Sequence, residues 1–233
     1  MSGFAFVCHV IKLPPRAYIH RRDSYQGLKR SRRSKHSLSI SSSSPSSAME
    51  EPKLLKLKPI EATPATFKDY GQVIQASPDG HGFGPHDAQL DLTRGIPRFY
   101  IMHLENRPLK FSNITHHASV TQCLGSIGGH AWYLGVAKPS IVDSSEIKDD
   151  TDRKVVQSRS GHLYVPPAIE DIHVFKVTGS KFLKLNRGTW HAGPIFKADS
   201  MDFYNLELSN TNEIDHTTHN FKKDNGVIFS IDE

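Results

Sequence analysis

The sequence predicts an all-β domain, either a sandwich or a barrel, and three observations support this fold class. Between Leu54 and Lys58, and again between Val174 and Thr178, apolar and polar residues alternate with a period close to two. Longer apolar runs have the length of a strand and are rich in aromatic and β-branched side chains. These runs cover residues 99–102, 131–137, 202–208 and 227–231. Proline, glycine, asparagine and aspartate separate them, so we expect many short strands joined by turns.

One segment has helix signals, and two segments fall outside the strand pattern. Thr63 can cap a helix, Pro64 suits its first turn and Gly71 can end it, so this segment predicts one short helix near the start of the folded part. The stretch Asp79 to Asp91 is rich in glycine and histidine, and the stretch Asp143 to Gly161 is charged and weakly apolar. Both are predicted to be long surface loops.

The first 48 residues differ in composition from the rest of the chain. They contain nine basic side chains and one acidic side chain, and they end in a serine-rich run before Met49. Such a composition cannot bury enough apolar surface to offset its ordering entropy, so we expect residues 1–48 to be disordered. It is also typical of an organellar transit peptide, with a plastid favoured over a mitochondrion. The alternatives are a plain disordered basic tail and an arginine-rich RNA-binding arm, and translation from Met49 would give a cytosolic form.

The remainder, residues 49–233, is predicted to be one mildly acidic domain. The chain has a net charge of +5 and its first 48 residues carry +8, which leaves −3 for this domain. No basic face therefore indicates a nucleic-acid partner. No apolar run approaches the ~18 residues that a membrane span requires, so we expect no membrane insertion. Cys123 is the only cysteine of the domain, which excludes a disulfide within it.

The stretch from Asn186 to Pro194 combines a cation, a large aromatic ring and an imidazole. Its glycines and terminal proline indicate a sharp turn that would present Arg187, Trp190 and His191 at the mouth of a pocket. An imidazole can exchange protons near neutral pH, and a guanidinium can bind a carboxylate through two parallel hydrogen bonds. The alternative is structural, because a Trp-His pair beside a turn can also be a half-buried contact between strands.

A second informative stretch contains the adjacent residues His116 and His117. Neighbouring residues of a strand point to opposite faces, so at most one of the two can face the interior of a barrel. Counting from His117 places Gln122 five residues later and Gly129 seven residues after that. The strand pattern alone leaves open which of the two histidines faces the interior, and the resemblance given next implies that it is His117.

These spacings resemble the two motifs of the cupin fold, a double-stranded β-helix or jelly-roll barrel. The first motif has a glutamate where this chain has Gln122, and its first histidine corresponds to Thr115. The glycine and histidine of the second motif correspond to Gly188 and His191, and its proline corresponds to Asn186. The resemblance implies a reduced metal site for nickel, zinc or manganese, and the alternative is a metal-free site. The candidate metal ligands are His117, Gln122 and His191.

A wider set of motifs, spread over roughly Leu57 to Leu208, resembles the ureidoglycolate lyase family, historically called ureidoglycolate hydrolase. The matching motifs are Pro59 to Ile74, Asn106 to Leu109, His117 with Thr121-Gln122, Asp171 to Gly179, and Arg187-x-x-Trp190-His191. The resemblance implies a carbon–nitrogen lyase that cleaves ureidoglycolate to glyoxylate and urea in allantoin breakdown, a part of purine catabolism. Its partner would be a small-molecule substrate, and we also expect a homodimer.

The resemblance also implies roles for individual residues. The candidate catalytic groups for proton transfer are His191 and His117. The candidate substrate-binding residues are Arg187 for the carboxylate, Gln122 for the urea group, Trp190 for the pocket wall, and Lys110 or Lys184 as further carboxylate ligands. Two alternatives remain open. One is a hydrolase that releases ammonia from a related ureide or amide, and the other is a non-catalytic cupin that binds a small carboxylate.

Overall fold

A computed structural model describes residues 51–146 and 154–233, in which β-strand is the main regular structure and α-helix is scarce. The predicted all-β class is therefore confirmed. The α-helices of the described part are two single turns, α1 (Thr211–Ile214) and α2 (Phe221–Asp224). The predictions made for residues 1–48 and for Met49 lie outside the described residues.

The largest sheet has six strands. They are β2 (Ile60–Glu61), β6 (Asn113–His116), β8 (Trp132–Ala137), β12 (His173–Val177), β14 (Trp190–His191) and β16 (Thr217–Asn220). Their order across the sheet is β16-β6-β14-β8-β12-β2. Neighbouring strands are antiparallel, except that β2 runs parallel to β12.

The second large sheet has five antiparallel strands. They are β3 (Gly71–Gln75), β4 (Pro97–Glu105), β7 (Gln122–Ser126), β13 (Lys181–Leu185) and β15 (Ser200–Leu208). Their order is β3-β13-β7-β15-β4, so β4 is an edge strand that pairs with β15 along its whole length. Between described residues, no strand pairing joins the two large sheets.

Two small sheets complete the fold. One contains β1 (Lys53–Leu57), β5 (Lys110–Phe111) and β17 (Val227–Ile231), and the other contains β9 (Ile141–Val142), β10 (Val156–Gln157) and β11 (Leu163–Tyr164). The four apolar runs that the sequence predicts as strands lie in β4, β8, β15 and β17. Local apolar pattern was therefore sufficient to locate these strands.

The core consists of two clusters on opposite faces of the six-stranded sheet. The first cluster takes Trp132 and Phe175 from this sheet, and Leu124 and Phe203 from the five-stranded sheet. The two large sheets thus pack face to face, as in a β-sandwich. The second cluster, which includes Trp190, lies on the other face and is covered partly by α2 and β17.

The prediction of a short helix over residues 63–71 is wrong, because residues 64–70 form turns and a bend and Gly71 is the first residue of β3. Thr63 and Thr66 do exchange backbone-to-hydroxyl hydrogen bonds of the kind that starts a helix. Phe67 and Tyr70 are then both buried in the first core cluster, and β3 begins directly after Tyr70. A helix this short gains too little to offset its nucleation cost, so the two aromatic anchors decide the local conformation.

The two predicted surface loops have different outcomes. No strand or helix forms between Asp79 and Asp91, as predicted. The stretch Asp143 to Gly161 is described except for residues 147–153, and the described part contains β10 and the buried Ser158. Part of this second segment is therefore packed into the fold, which its charged composition did not indicate.

Candidate functional site

Strands β6 and β14 form a ribbon whose two faces carry different residues. His191 pairs with Thr115 and with a core valine of β8, so its side chain lies on the face of the first core cluster. Trp190 and His116 lie on the opposite face, where their rings touch. The ring of His117, directly after β6, lies beside that of His191. The prediction that His116 and His117 point to opposite faces is confirmed.

His117 and His191 form a buried imidazole pair. Their ring centroids are 5.3 Å apart and their planes are inclined by 55°. The Nδ1 atom of His117 is hydrogen-bonded to the backbone carbonyl of Asp215, and that of His191 to the carbonyl of Thr189 at 3.2 Å. A carbonyl oxygen only accepts hydrogen bonds, so each Nδ1 carries the proton and each Nε2 presents a lone pair.

The protonation of this pair follows from its burial. Burial lowers the pKa of His117 below the ordinary histidine value and lowers that of His191 to about 3. The proximity of His117 adds to the shift at His191, because two neighbouring cations repel each other. Both rings are therefore neutral near pH 7, and a neutral imidazole can accept a proton from a bound molecule.

Backbone contacts hold His117 in place. The Asp215 carboxylate accepts hydrogen bonds from the N–H groups of Ala118 at 2.9 Å and Ser119 at 2.7 Å. The N–H of Gly188 donates to the carbonyl of His117 at 2.7 Å. Gly188 has a φ of 77°, a conformation that side-chain-bearing residues rarely adopt. The sharp turn predicted for this stretch thus connects it to the segment that carries His117.

The five-stranded sheet contributes a polar cluster on its inward face. Gln122 of β7 lies beside Glu207 of β15, and its Nε2 donates to the carboxylate of Glu207 at 3.2 Å and to Oδ1 of Asn205 at 3.1 Å. The Oε1 atom of Gln122 is buried without a hydrogen-bond partner among the described residues. Since an unpaired buried acceptor costs free energy, this oxygen is a candidate contact for a bound donor.

Glu207 connects this cluster to the edge strand β4. Its carboxylate accepts hydrogen bonds from the Tyr100 hydroxyl and from the Asn212 side chain, each at 3.3 Å. The Arg98 guanidinium lies 3.8 Å from the carboxylate and stacks over the Tyr100 ring at 3.7 Å. Asp215 and, to a smaller extent, Glu207 partly offset the lowering of the His117 pKa by burial.

We call this group of interior side chains the polar end. Its members are Arg98, Tyr100, His117, Gln122, His191, Asn205 and Glu207. Sequence reasoning found the two histidines and the glutamine but missed the four residues on β4 and β15. A signal was present, because period-two alternation puts Tyr100 on one face with the core residue Met102, and Glu207 on one face with Phe203.

Arg187, the predicted carboxylate ligand, is engaged elsewhere. Its Nε donates to the carbonyl of Ala118 at 2.8 Å, and its Nη1 lies 3.4 Å from the Asp91 carboxylate. Its side chain is 40% exposed. These contacts tie the loop that contains Asp91 to the segment after His117, so Arg187 supports the pair from outside.

The other predicted binding residues also lie away from the polar end. Trp190 is fully buried in the second core cluster, and its indole N–H donates to the Ser140 hydroxyl at 2.8 Å. Lys110 is exposed on β5, in a different sheet from the two histidines. Lys184 pairs with Cys123 on the outward face of the five-stranded sheet and donates to Asn186 at 2.7 Å.

A second histidine pair lies behind the ribbon. The Nε2 atoms of His116 and His162 are 2.6 Å apart, and Nδ1 of His162 is 2.8 Å from the Ser158 hydroxyl. His116 is fully buried, and its Nδ1 has no partner among the described residues. Burial, followed by the nearby His162, lowers the pKa of His116 to about 3. This contact fastens the segment between β10 and β11 onto the back of the ribbon.

The predicted metal ligands form a weak donor set. His117 and His191 present Nε2 lone pairs and Gln122 presents a neutral amide oxygen, which zinc and nickel bind poorly. Within residues 51–146 and 154–233, no group of three or more His, Cys, Asp or Glu side chains is placed to hold a metal ion. A metal held by the two imidazoles would act as a Lewis acid on the substrate.

Comparison with known proteins adds no relative. No protein-family model matches the chain, and a search of curated proteins finds no significant match. In the part of the chain that is described, none of the helices has the length and apolar character needed to cross a membrane. We therefore infer function from the geometry of the polar end.

Proposed function

We propose that the chain is a ureidoglycolate lyase-type enzyme with a cupin-like arrangement of its two large sheets, and that it cleaves ureidoglycolate to glyoxylate and urea. The observation that supports this proposal is the buried pair His117 and His191. Each ring has its Nδ1 proton bound to a backbone carbonyl, so its Nε2 is left to act on a ligand. A purely structural role would not require two adjacent buried imidazoles that each leave Nε2 free to accept a proton.

The cleavage is an elimination that needs proton transfer and no net oxidation. The hydroxyl of ureidoglycolate loses its proton, its oxygen forms the glyoxylate carbonyl, and the carbon–nitrogen bond breaks. The departing ureido nitrogen needs one proton, which is the number that the hydroxyl releases. A neutral imidazole, His191 or His117, can accept the first proton and deliver it to the nitrogen. The unpaired Oε1 of Gln122 is available to accept a hydrogen bond from a ureido N–H.

The test is a product assay on the purified full-length chain. The protein is incubated with ureidoglycolate, with and without added nickel, manganese or zinc, and urea, ammonia and glyoxylate are measured separately. Equal amounts of urea and glyoxylate support the proposal. Ammonia in place of urea selects a ureide or amide hydrolase. No product under any condition contradicts the enzyme proposal, and calorimetric binding of ureidoglycolate in that case selects a non-catalytic carboxylate-binding cupin. Product formation that requires one added metal would support a metal-dependent form of the same reaction.

We also propose that the protein forms a homodimer and that residues 1–48 direct it to a plastid. Phe99, Ile101 and Tyr204 are exposed on the outward face of β4 and β15, and the rings of Phe99 and Tyr204 stack there. An apolar surface of this kind on an edge strand is a candidate interface for a second copy. Sedimentation of the wild type and of Ile101→Asp tests the dimer. Imaging a fluorescent protein fused to residues 1–48 tests the address.

A further inference from the structure

The charge pair Arg98 and Glu207 carries a further inference about the polar end. The two residues are partners in the register between β4 and β15. Their exposure differs sharply, since the side chain of Glu207 is 2% exposed and that of Arg98 is 47% exposed. The carboxylate is therefore part of the interior, whereas the guanidinium lies where the interior meets solvent.

Glu207 does not need Arg98 as a hydrogen-bond donor. Gln122, Tyr100 and Asn212 all donate to its carboxylate, at 3.2 to 3.3 Å. The guanidinium, at 3.8 Å, is beyond hydrogen-bond distance. Among the described residues Arg98 makes no hydrogen bond through its guanidinium, and its plane is held by the Tyr100 ring. Its N–H donors thus remain available to another anion.

The other candidate cations are less suitable. The Nε of Arg187 is bonded to Ala118, and its Nη1 is directed to Asp91. Lys110 lies in another sheet, and Lys184 is on the outward face of β13. Lys181 also lies on the inward face of the five-stranded sheet, but its Nζ donates to Glu61 at 2.9 Å and to the carbonyl of Ala62 at 3.0 Å. Among the described residues, Arg98 is therefore the cation of this face whose charged group makes no hydrogen bond.

We propose that Arg98 binds the carboxylate of the substrate and thereby selects small carboxylic acids at this site. The inference rests on the proposed function, which it deepens. Arg98, Glu207 and Gln122 follow one another across three adjacent strands, so they define a line along the inward face. A substrate whose carboxylate meets Arg98 extends along this line toward Gln122, whose unpaired Oε1 can accept a hydrogen bond from the ureido group. The flat guanidinium offers two parallel N–H donors, which match a carboxylate in geometry and in charge.

The inference is tested by binding as well as by turnover. Calorimetry measures the affinity of glycolate, an anion, and of glycolamide, its neutral counterpart, for the full-length wild type and for Arg98→Ala, Arg98→Lys and Arg187→Ala. Arg98→Ala should weaken glycolate binding by about ten- to a hundred-fold, the range for a lost charge-assisted hydrogen bond. The affinity for glycolamide should change by less than about two-fold, because a neutral ligand loses no charge-assisted contact and a substitution at an exposed position otherwise has a small effect. Arg98→Lys should restore part of the glycolate affinity, because lysine keeps the positive charge but lacks the two parallel N–H donors of the guanidinium.

The outcomes separate this inference from the proposed function. If the wild type releases urea but Arg98→Ala binds glycolate as the wild type does, the assignment of Arg98 is wrong and the enzyme proposal stands. If the wild type releases no product but loses glycolate affinity only in Arg98→Ala, the carboxylate site stands and the enzyme proposal fails. If Arg187→Ala loses affinity for glycolate and Arg98→Ala does not, Arg187 and not Arg98 binds the substrate carboxylate. An equal loss for glycolate and glycolamide would show that Arg98 is structural.

Discussion

The side-chain amide of Gln122 donates to the carboxylate of Glu207 at 3.2 Å, across neighbouring strands β7 and β15. Both side chains are buried, so the carboxylate depends on its three protein donors, of which Gln122 is one. Gln122→Leu should lower the free energy of unfolding by about 1–3 kcal/mol, because it removes a donor from a buried charge. Urea denaturation measures the loss. Adding Glu207→Gln should recover part of it, since a neutral partner needs fewer donors, and strict additivity of the two changes would contradict this account.

Replacing either histidine of the buried imidazole pair should reduce turnover while the protein remains folded. His117→Asn and His191→Asn each remove an Nε2 lone pair, and general acid–base catalysis is worth about 10² to 10⁴ in rate. Steady-state kinetics with ureidoglycolate should therefore show a fall in kcat of roughly that size. His103→Asn is the control, because His103 is exposed on the outward face of β4. Unchanged kcat in both interior variants would place the chemistry elsewhere.

Trp190 should matter more to stability than to turnover. Its ring lies in the second core cluster, on the face of the ribbon that His191 does not share, and its indole is bonded to Ser140. Trp190→Phe should cost about 1 kcal/mol or more, from the lost hydrogen bond and the space left behind. Ser140→Ala removes the same bond from the other side. A large fall in kcat at unchanged stability would instead support the pocket-wall role that the sequence suggests for Trp190.

The contact between His116 and His162 should control local opening. His162→Ala removes the link at 2.6 Å that fastens the segment between β10 and β11 to the ribbon. Amide hydrogen exchange should become faster in residues 156–164 and stay unchanged in β12, because only the local contact is lost. Arg159→Ala is a matched control, since it changes an exposed residue of the same segment. Equal protection in the two variants would show that the histidine contact does not hold the segment.

The ionised carboxylate of Asp91 should make the stability of the folded protein depend on pH in the acid range. The Arg94 guanidinium, followed by the Thr93 hydroxyl, lowers the pKa of Asp91 from 3.8 to about 2. A carboxyl whose pKa is lowered by folding stabilises the folded state above its ordinary pKa, and this contribution is lost as the pH falls through about 4 toward 2. Asp91→Asn should therefore be less stable than the wild type at pH 6, and the difference should narrow by pH 3. Urea denaturation at the two pH values checks this, with Asp79→Asn, in an exposed loop, as the control.

The strands were predictable because apolar alternation is a local signal, whereas the polar end depends on which strands become neighbours. His117, Gln122 and His191 could be found from their spacing. Alternation places Glu207 on the same face as Phe203, but nothing near Glu207 or Arg98 in the sequence indicates that β15 pairs with both β4 and β7, so their position beside Gln122 was not predictable. The turn at residues 63–71 was misjudged for a related reason, since Phe67 and Tyr70 are held by the core and not by their neighbours in sequence. Composition also could not show that His162, which is bonded to Ser158, packs against His116.

The two faces of the β6–β14 ribbon limit which mutations this chain can accept. In each strand end, consecutive residues serve two unrelated purposes: His117 and His191 face the interior, and His116 and Trp190 hold the layer behind. Side chains alternate strictly along a strand, so inserting or deleting one residue here would exchange the two sets. A substitution can therefore alter one face without changing the other. The register of each strand is constrained by the residues on both faces.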